Sequence, residues 1–600
     1  MTSHSSAAAG GGGAPVPHVL REYALLADGE RGAMLGPRGD IACMCAPRWD
    51  SGSVFASLVG GTGVYSVAPT GRYVWGGYYE PRSLIWHSRW VTAGGIVECR
   101  EALAYPGEPH RLVLLRTVHA VNGPATVDVT LRPRADYDTA GLSELKHTRG
   151  VWTFRCGELH GRWTSGPGAR AHDDAIALHL TPEPGERHDL VLELSDRPLP
   201  GDAADPGQSW EATEANWHAR IAAVESVLAP RDTAHSMAVL HGLTSATGGM
   251  VAAATTSLPE RSDADRNYDY RYVWIRDQCY AGHAALAAGD DVLLDAAVGY
   301  LTARLHEHGP HLAPAYTVTG APVPAQRHLG LPGYPGGSDI VGNQAGEQFQ
   351  LDAYGEGLLL LAGAAGRDRL NAEGWTAAEQ AADAIAARWR EPDAGIWEID
   401  NRAWTHSRLI ASAGLRAVAA ARPGPASSRW LTLADQILAD QILADTTAHA
   451  LHPDGYWQRS PDDTALDAAL LLPGLRGALA TDDPRTVATL HAYLRELTED
   501  GYAYRFRHDA RPLADAEGSF LLCGFFTALA LDTQSSRIEA RAWFERTRAA
   551  TGPPELFSEE YDAHQHQMRG NLPQAFVHAL MVETASRLAE ENNHAPDPAT

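Results

Sequence analysis

Residues 199–208 read LPGDAADPGQ, and the chain changes period across them. Proline–glycine clusters of this kind mark loops, so the segment is a linker. Upstream the period is two. Val127, Val129 and Leu131 alternate with Asp128, Thr130 and Arg132, which puts one apolar face on a strand. IWHSRWV and IVECREAL flank Ala93-Gly94-Gly95 and read as a hairpin. LVLLRTVHAV, AIALHL and LVLELS add strands, and many short strands between turn signals indicate an antiparallel sandwich. Downstream, WEATEANWHARIAAVESVL reads as a connecting helix, and beyond about 235 the period becomes 3.6, with about twelve helical segments. One of them starts at Pro484 after Thr481-Asp482-Asp483, a sound helix start. QILADQILAD at 436–445 is a duplication inside one helix. Twelve helices suit six hairpins closed into a toroid. The expected division is a disordered lead-in at 1–17, a β-sandwich at 18–200, a linker with its helix at 201–234, the toroid at 235–592 and a polar tail at 593–600.

Six hundred residues exceed what one core organises, which agrees with two domains. Acidic side chains outnumber basic ones 74 to 49, for a formal net charge of −25. Such a surface repels phosphate backbones and anionic lipid, so nucleic acid and membranes are not expected partners. The start, MTSHSSAAAGGGGAPVP, has neither a basic cluster nor an apolar run, and no apolar stretch is long enough to span a bilayer. Six cysteines without a CxxC pair read as reduced structural thiols, and the expected compartment is the cytoplasm.

Five polar, aromatic or glycine-rich segments interrupt the helical half: 267–277, 333–356, 395–408, 501–526 and 556–579. Each lies near a helix end, where a toroid gathers its loops into a funnel. Their inventory is acidic and aromatic, with arginine the strong cation. There is no P-loop, no dinucleotide fingerprint and no HExxH. Flat rings beside Asp, Glu and Arg suit a sugar, and glycosidic hydrolysis needs two carboxyl groups, one protonated and one ionised. No metal or cofactor is called for. Composition does not choose the two acids.

Taken together, YRYVWIRD, GIWE, LDAALLLP, EGSFLLC and SEEYD resemble the motif set of glycoside hydrolase family 15, which holds glucoamylases, glucodextranases and trehalases. The resemblance runs from YALLADGERGAMLGPRGDIACMCAPRWDSGSVFASL to NLPQAFVHALMVETA. It implies an N-terminal antiparallel β-sandwich followed by an (α/α)6 barrel. It also implies that Glu398 in GIWE is the general acid and that Glu559 in SEEYD is the general base. Glu560 beside it is the alternative base. An acid must hold its proton until the bond breaks, which burial beside Trp397 would favour. Arg276 and Asp277 would grip the non-reducing glucose, Tyr270 would lie near the reaction centre, Trp397 would stack on a sugar, and Arg505 would point at the same glucose. A helix-start ion pair is the plainer reading of Arg276 and Asp277. His406 and His578 are expected to be buried, hydrogen-bonded structural histidines.

The resemblance implies an inverting, exo-acting hydrolase that releases glucose from short α-glucans or α-glucosides, with α,α-trehalase as the alternative. A phosphorylase would lack the base, and a non-catalytic sugar binder would have lost a glutamate; both are present. With no starch-binding module in view, granular starch is not an expected target. One loop departs from the family pattern: 333–343 reads GYPGGSDIVGN, with Pro335 and Asp339 and without two customary arginines. Asp339 is therefore expected to face the leaving group and to favour short or unusual α-glucosides.

Overall fold

The computed structural model describes residues 16–199, 201–224, 226–261, 266–442, 450–508 and 511–590. Most of the lead-in, the polar tail and the end of QILADQILAD fall outside them. Within the described residues, an antiparallel, sheet-rich N-terminal domain precedes a helical one.

In the N-terminal domain, an eight-stranded sheet runs spatially from Leu142–Thr148 to Tyr73–Tyr79, and a four-stranded sheet centres on Val127–Arg132 and Ala175–Leu180. Every pairing is antiparallel. Val127, Val129 and Leu131 are buried and Asp128 is exposed, as the alternation requires. Trp86–Thr92 and Ile96–Leu103 form the expected hairpin, closed by Thr92 N donating to Gly95 O at 2.9 Å. A third sheet, Ala24–Ala27 to Ser53–Phe55, shares its core with the helices: Leu25, Met34 and Trp49 pack in one cluster with Leu240, Leu243 and Val251.

The connecting helix is shorter than its sequence suggests. It covers Pro206–Arg220, starting inside the expected linker because Asp205 caps Gln208 N at 2.8 Å. It stops where Ile221 turns extended and buries its side chain. Burying that apolar residue outweighs helical propensity over the segment that follows.

Among the described residues, twelve helical elements form an inner and an outer ring. Elements beginning at Ile275, Leu351, Thr405, Ala468, Leu521 and Ala575 each touch the next, and the last touches the first. Behind them pack Asp291–His308, Ala372–Arg388, Pro425–Ile442, Pro484–Glu496, Arg537–Arg548 and Pro230–Leu243. This is the (α/α)6 barrel. Composition sorts the rings: Leu521–Leu531 is buried on every face, whereas Pro484–Glu496 buries only Thr489, Leu490, Ala492 and Tyr493. Starts and stops follow local chemistry. Asp483 accepts from Arg485 N at 2.9 Å ahead of Pro484, and Gly289, at φ 74°, ends Ile275–Ala288.

Candidate active site

Outer and inner elements alternate along the chain from Pro230–Leu243 to Ala575–Glu590, so all six inner N-termini lie at one end of the barrel. The segments leading into them carry the polar side chains. Trp274 precedes Ile275, Glu398 precedes Thr405, Asp467 precedes Ala468, Glu517 precedes Leu521, and Glu559 precedes Ala575.

The turn bearing Glu398 is pinned from behind. Asp393 accepts from Gly395 N at 2.9 Å and pairs with Arg408 at 2.9 Å. Glu398 itself has φ 56°, a left-handed conformation that costs a non-glycine residue about 1–2 kcal/mol and that the surrounding bonds must hold. Its Oε1 accepts from Trp274 Nε1 at 2.7 Å and lies 3.8 Å from Arg276 Nη1. The indole touching the carboxyl is thus that of Trp274. Trp397 turns its Nε1 to Asp467 Oδ1 at 2.6 Å, and its ring meets Phe520 edge-on at 5.4 Å. Glu398 is partly buried, as expected, but the indole that hydrogen-bonds it belongs to Trp274, because buried Asp467 claims the Trp397 donor.

Arg276 and Asp277 form the helix-start ion pair, at 3.0 Å. They do more than that. Arg276 Nη1 reaches Ile396 O at 2.5 Å, tying the helix to the Glu398 turn, and Asp277 Oδ1 has no hydrogen-bond partner among the described residues. An unpartnered buried carboxylate oxygen beside a guanidinium suits sugar hydroxyls.

On the other side, Glu559 is buried and its Oε1 accepts from Tyr270 OH at 3.0 Å, while Oε2 is unpartnered. Burial and then Glu260 push its carboxyl well above the ordinary range, against the pull of Arg505. Successive strand residues face opposite ways. Glu560 accordingly accepts from Gly518 N at 2.8 Å and lies 3.6 Å from Arg505, away from Tyr270. The Tyr270 and Trp274 rings meet edge-on at 5.6 Å. An aromatic pair thus stands between the two glutamates, each of which holds its own donor from that pair.

Arg505 lies against the same cluster, 5.6 Å from the Trp397 ring, but it is committed to Glu517 through bonds of 3.1 and 2.6 Å. Burial raises the Glu517 carboxyl; Arg505 and His508 more than offset this and hold it at about 2. All seven residues singled out in the sequence (Tyr270, Arg276, Asp277, Trp397, Glu398, Arg505 and Glu559) therefore meet at one mouth. Sequence reasoning missed Trp274, Glu260, Glu517 and Asp467. Trp274, Asp467 and Glu517 sit inside quoted motifs; Glu260 stands in a loop with no periodic signal.

Two expectations are corrected. The Asp339 carboxylate is not free to meet a leaving group. Its Oδ2 accepts from Leu329, Gly330 and Leu331 N at 3.0, 2.6 and 3.1 Å, and its Oδ1 meets His328 Nδ1 at 2.6 Å. A backbone nest around 328–331 occupies the carboxylate. The loop itself is anchored to Val59 O through Gly333 N and to His18 O through Tyr334 OH. His578 is the expected structural histidine, bonded to Phe557 N and Ser236 Oγ. His406 is not: it is buried, both ring nitrogens lack a partner, and burial lowers its pKa to about 4, so it is neutral. It borders a small cavity with Trp397 and Asp467.

Among known proteins, the family model described as glycosyl hydrolases family 15 matches residues 234–586, and a model described as trehalase-like, N-terminal matches 12–155. The chain is 31% identical to a trehalase of Mycobacterium tuberculosis, over 95% of this chain and 89% of that protein. It is 29% identical to a trehalase of Mycolicibacterium smegmatis, over 95% and 92%. A crystal structure of a bacterial glucoamylase complexed with acarbose has the same fold, with TM-score 0.71 at 14% identity over 98% of this chain and 97% of that one.

Proposed function

The chain belongs to glycosyl hydrolases family 15, and from that premise we propose that it is an inverting hydrolase of α,α-trehalose, with Glu398 as general acid and Glu559 as general base. The observation that carries the mechanism is the aromatic pair. Glu559 accepts from Tyr270 and Glu398 accepts from Trp274, so neither carboxyl hydrogen-bonds the other. Inversion requires carboxyl groups about 6.5–9.5 Å apart with a water on one side, whereas retention requires about 5–5.5 Å. Two glutamates parted by two rings fit the wider spacing.

The glucose to be cut lies against Arg276 and Asp277, whose unpartnered Oδ1 receives a hydroxyl. Trp397 and Tyr270 supply flat faces and Arg505 reaches the same ring. Glu559 takes a proton from water as the water oxygen bonds to C1; Glu398 gives its proton to the glycosidic oxygen as that bond breaks. The disaccharide identity rests on the trehalases that the chain resembles along 95% of its length. Trehalose is itself a short α-glucoside, so this narrows the class read from the sequence. The reading includes a cytoplasmic setting, supported by six buried, unpaired cysteines; among the described residues no helix is long and apolar enough to cross a membrane.

The test is glucose release from trehalose, maltose, isomaltose, panose and dextran, with the anomers followed by NMR. Trehalose is expected to be cut fastest. Inversion at one C1 gives one β-glucose, while the leaving glucose departs as α, so the first products are equal in the two anomers. Faster cleavage of maltose or dextran overturns the substrate, and α-glucose alone overturns inversion.

A further inference from the structure

Glu260 plays no part in the mechanism above, yet it is buried against the base. Gly570 shows the juxtaposition: a Cβ placed there would lie 3.2 Å from Glu559 Oε2 and 3.7 Å from Glu260 Cγ. The glycine is fixed by its N–H donating to Pro259 O at 2.8 Å, next to Glu260. Both carboxyl groups look to the Tyr270 hydroxyl, which has one proton to donate and gives it to Glu559 Oε1 at 3.0 Å.

The cations nearby are already engaged. Arg505 is bidentate on Glu517 and also faces Glu560 at 3.6 Å. Arg266 reaches Glu517 at 3.3 Å, and Arg276 is paired with Asp277. Tyr268, stacked on Tyr270 with ring centroids 6.3 Å apart, brings no positive charge. Glu260 and Glu559 thus share a buried space without a cation of their own, and two neighbouring carboxylates in such a space do not both ionise.

We propose that Glu260 is a positioning residue that acts through Glu559: the two carboxyl groups share one proton, and the Tyr270 hydroxyl places the charge on Glu559. This rests on Glu559 being the base. Through the reaction Glu260 keeps its proton. Water loses one proton to Glu559 while its oxygen bonds to C1, Glu398 gives one to the departing oxygen, and solvent later returns one from Glu559 to Glu398. Burial raises Glu260 to about 6 against the pull of Arg505 and Arg266, so a carboxyl in this space holds a proton close to neutral pH.

The experiment is the pH dependence of kcat/KM, which reports the free enzyme, for wild type, Glu260→Gln, Tyr270→Phe and Glu559→Gln. The base works only when ionised, so a raised pKa lifts the acidic limb. In the active form a protonated Glu260 stabilises the charge on Glu559, so Glu260→Gln, which offers only a weaker amide donor, should move that limb up by about one pH unit, a tenfold change in proton affinity, with plateau kcat within about threefold of wild type, because an amide keeps an N–H donor and the shape of a protonated acid. Tyr270→Phe should move the limb up, and it carries the test if Glu260→Gln fails to fold. An unmoved limb in a folded variant overturns the proposal, as does loss of kcat at every pH in Glu260→Gln. Infrared difference spectra of wild type against Glu260→Gln provide a readout that needs no substrate: a protonated-carboxyl band just below neutral pH should be lost, and its absence from wild type overturns the shared proton. Near-wild-type activity in Glu559→Gln would instead overturn the assigned base, with the infrared band unaffected.

Discussion

Gly570 shows how a residue without a side chain positions the proposed base. Its φ of 76° suits glycine, and any Cβ would press on Glu559 Cβ and Oε2 at 3.2 Å. Gly570→Ala should therefore move the base. Misplacement by an ångström costs a reaction of this kind up to about a hundredfold, so kcat should fall at least tenfold while circular dichroism stays native. A wild-type kcat would mean that the strand around Glu559 yields freely. Replacing the two proposed catalytic glutamates should cost more. Glu398→Gln and Glu559→Gln are each expected to lower kcat by at least roughly a hundredfold. Glu560→Gln should retain more activity, because Glu560 faces Gly518 and Arg505. Asp339 behaves differently again. Burial opposes ionisation, but His328 and the Gly330 and Leu331 N–H groups outweigh it and hold the carboxylate below the ordinary range. A depressed folded-state pKa gives stability above the unfolded value that is lost as pH falls through the folded one. Asp339→Asn should thus lower the melting temperature at neutral pH and leave the ratio of kcat/KM for trehalose and maltose within about twofold. A changed ratio with unchanged stability would restore the leaving-group role.

Elements were legible where one period ruled. Val127–Arg132 alternates in burial as written, and Pro484–Glu496 begins at the proline behind its capping aspartate. The connecting helix was overcalled because propensity does not report that Ile221 has a core to enter. The mouth was legible as a set of motifs, since Tyr270, Trp274, Arg276 and Asp277 stand in one run; the partners of those side chains were not. Nothing in GIWE says that Trp397 is held by Asp467, seventy positions on, or that Trp274 holds Glu398. Such contacts are set by ring closure, and the closure depends on small residues. A Cβ at Gly355 would stand 2.6 Å from the Ile410 backbone, and one at Gly414 would stand 2.5 Å from Gly355 O. A mid-helix glycine costs about 0.5–1 kcal/mol against alanine, so propensity alone makes Gly355→Ala stabilising. Overpacking of about 1–3 kcal/mol outweighs that. The variant should unfold at lower denaturant with an unchanged m-value; a raised midpoint would show that the two inner helices can separate at little cost.

At the scale of the molecule, charge and core make separate statements. The proposed substrate is neutral, so the field of a chain carrying −25 neither draws it in nor repels it, and kcat/KM should hardly change between low and high salt. The core bears on how the two halves hold together. Domains joined by a linker ordinarily meet through modest, polar contacts and move independently. Here Leu25, Met34, Trp49 and Leu58 pack in the same cluster as Leu240, Val251 and Val273. Polar ties cross the same boundary. Arg271, paired with Asp269 at 2.6 Å, donates to Trp49 O at 3.3 Å and Ser51 O at 3.2 Å, and Ala246 N donates to Glu30 Oε1 at 2.7 Å. Arg271 lies one residue from Tyr270 and three from Trp274, so the segment that seats both glutamates is fixed by the N-terminal domain. Melting that domain would expose the shared apolar cluster and leave Arg271 without its carbonyl acceptors, which the helical half does not replace. The chain should therefore unfold in one calorimetric transition, with loss of activity following the same curve. Arg271→Met should lower that single transition and reduce kcat together, since it loosens the joint and the Tyr270–Trp274 segment at once. Two resolved transitions, with activity surviving the first, would mean that the barrel holds its site without the sandwich.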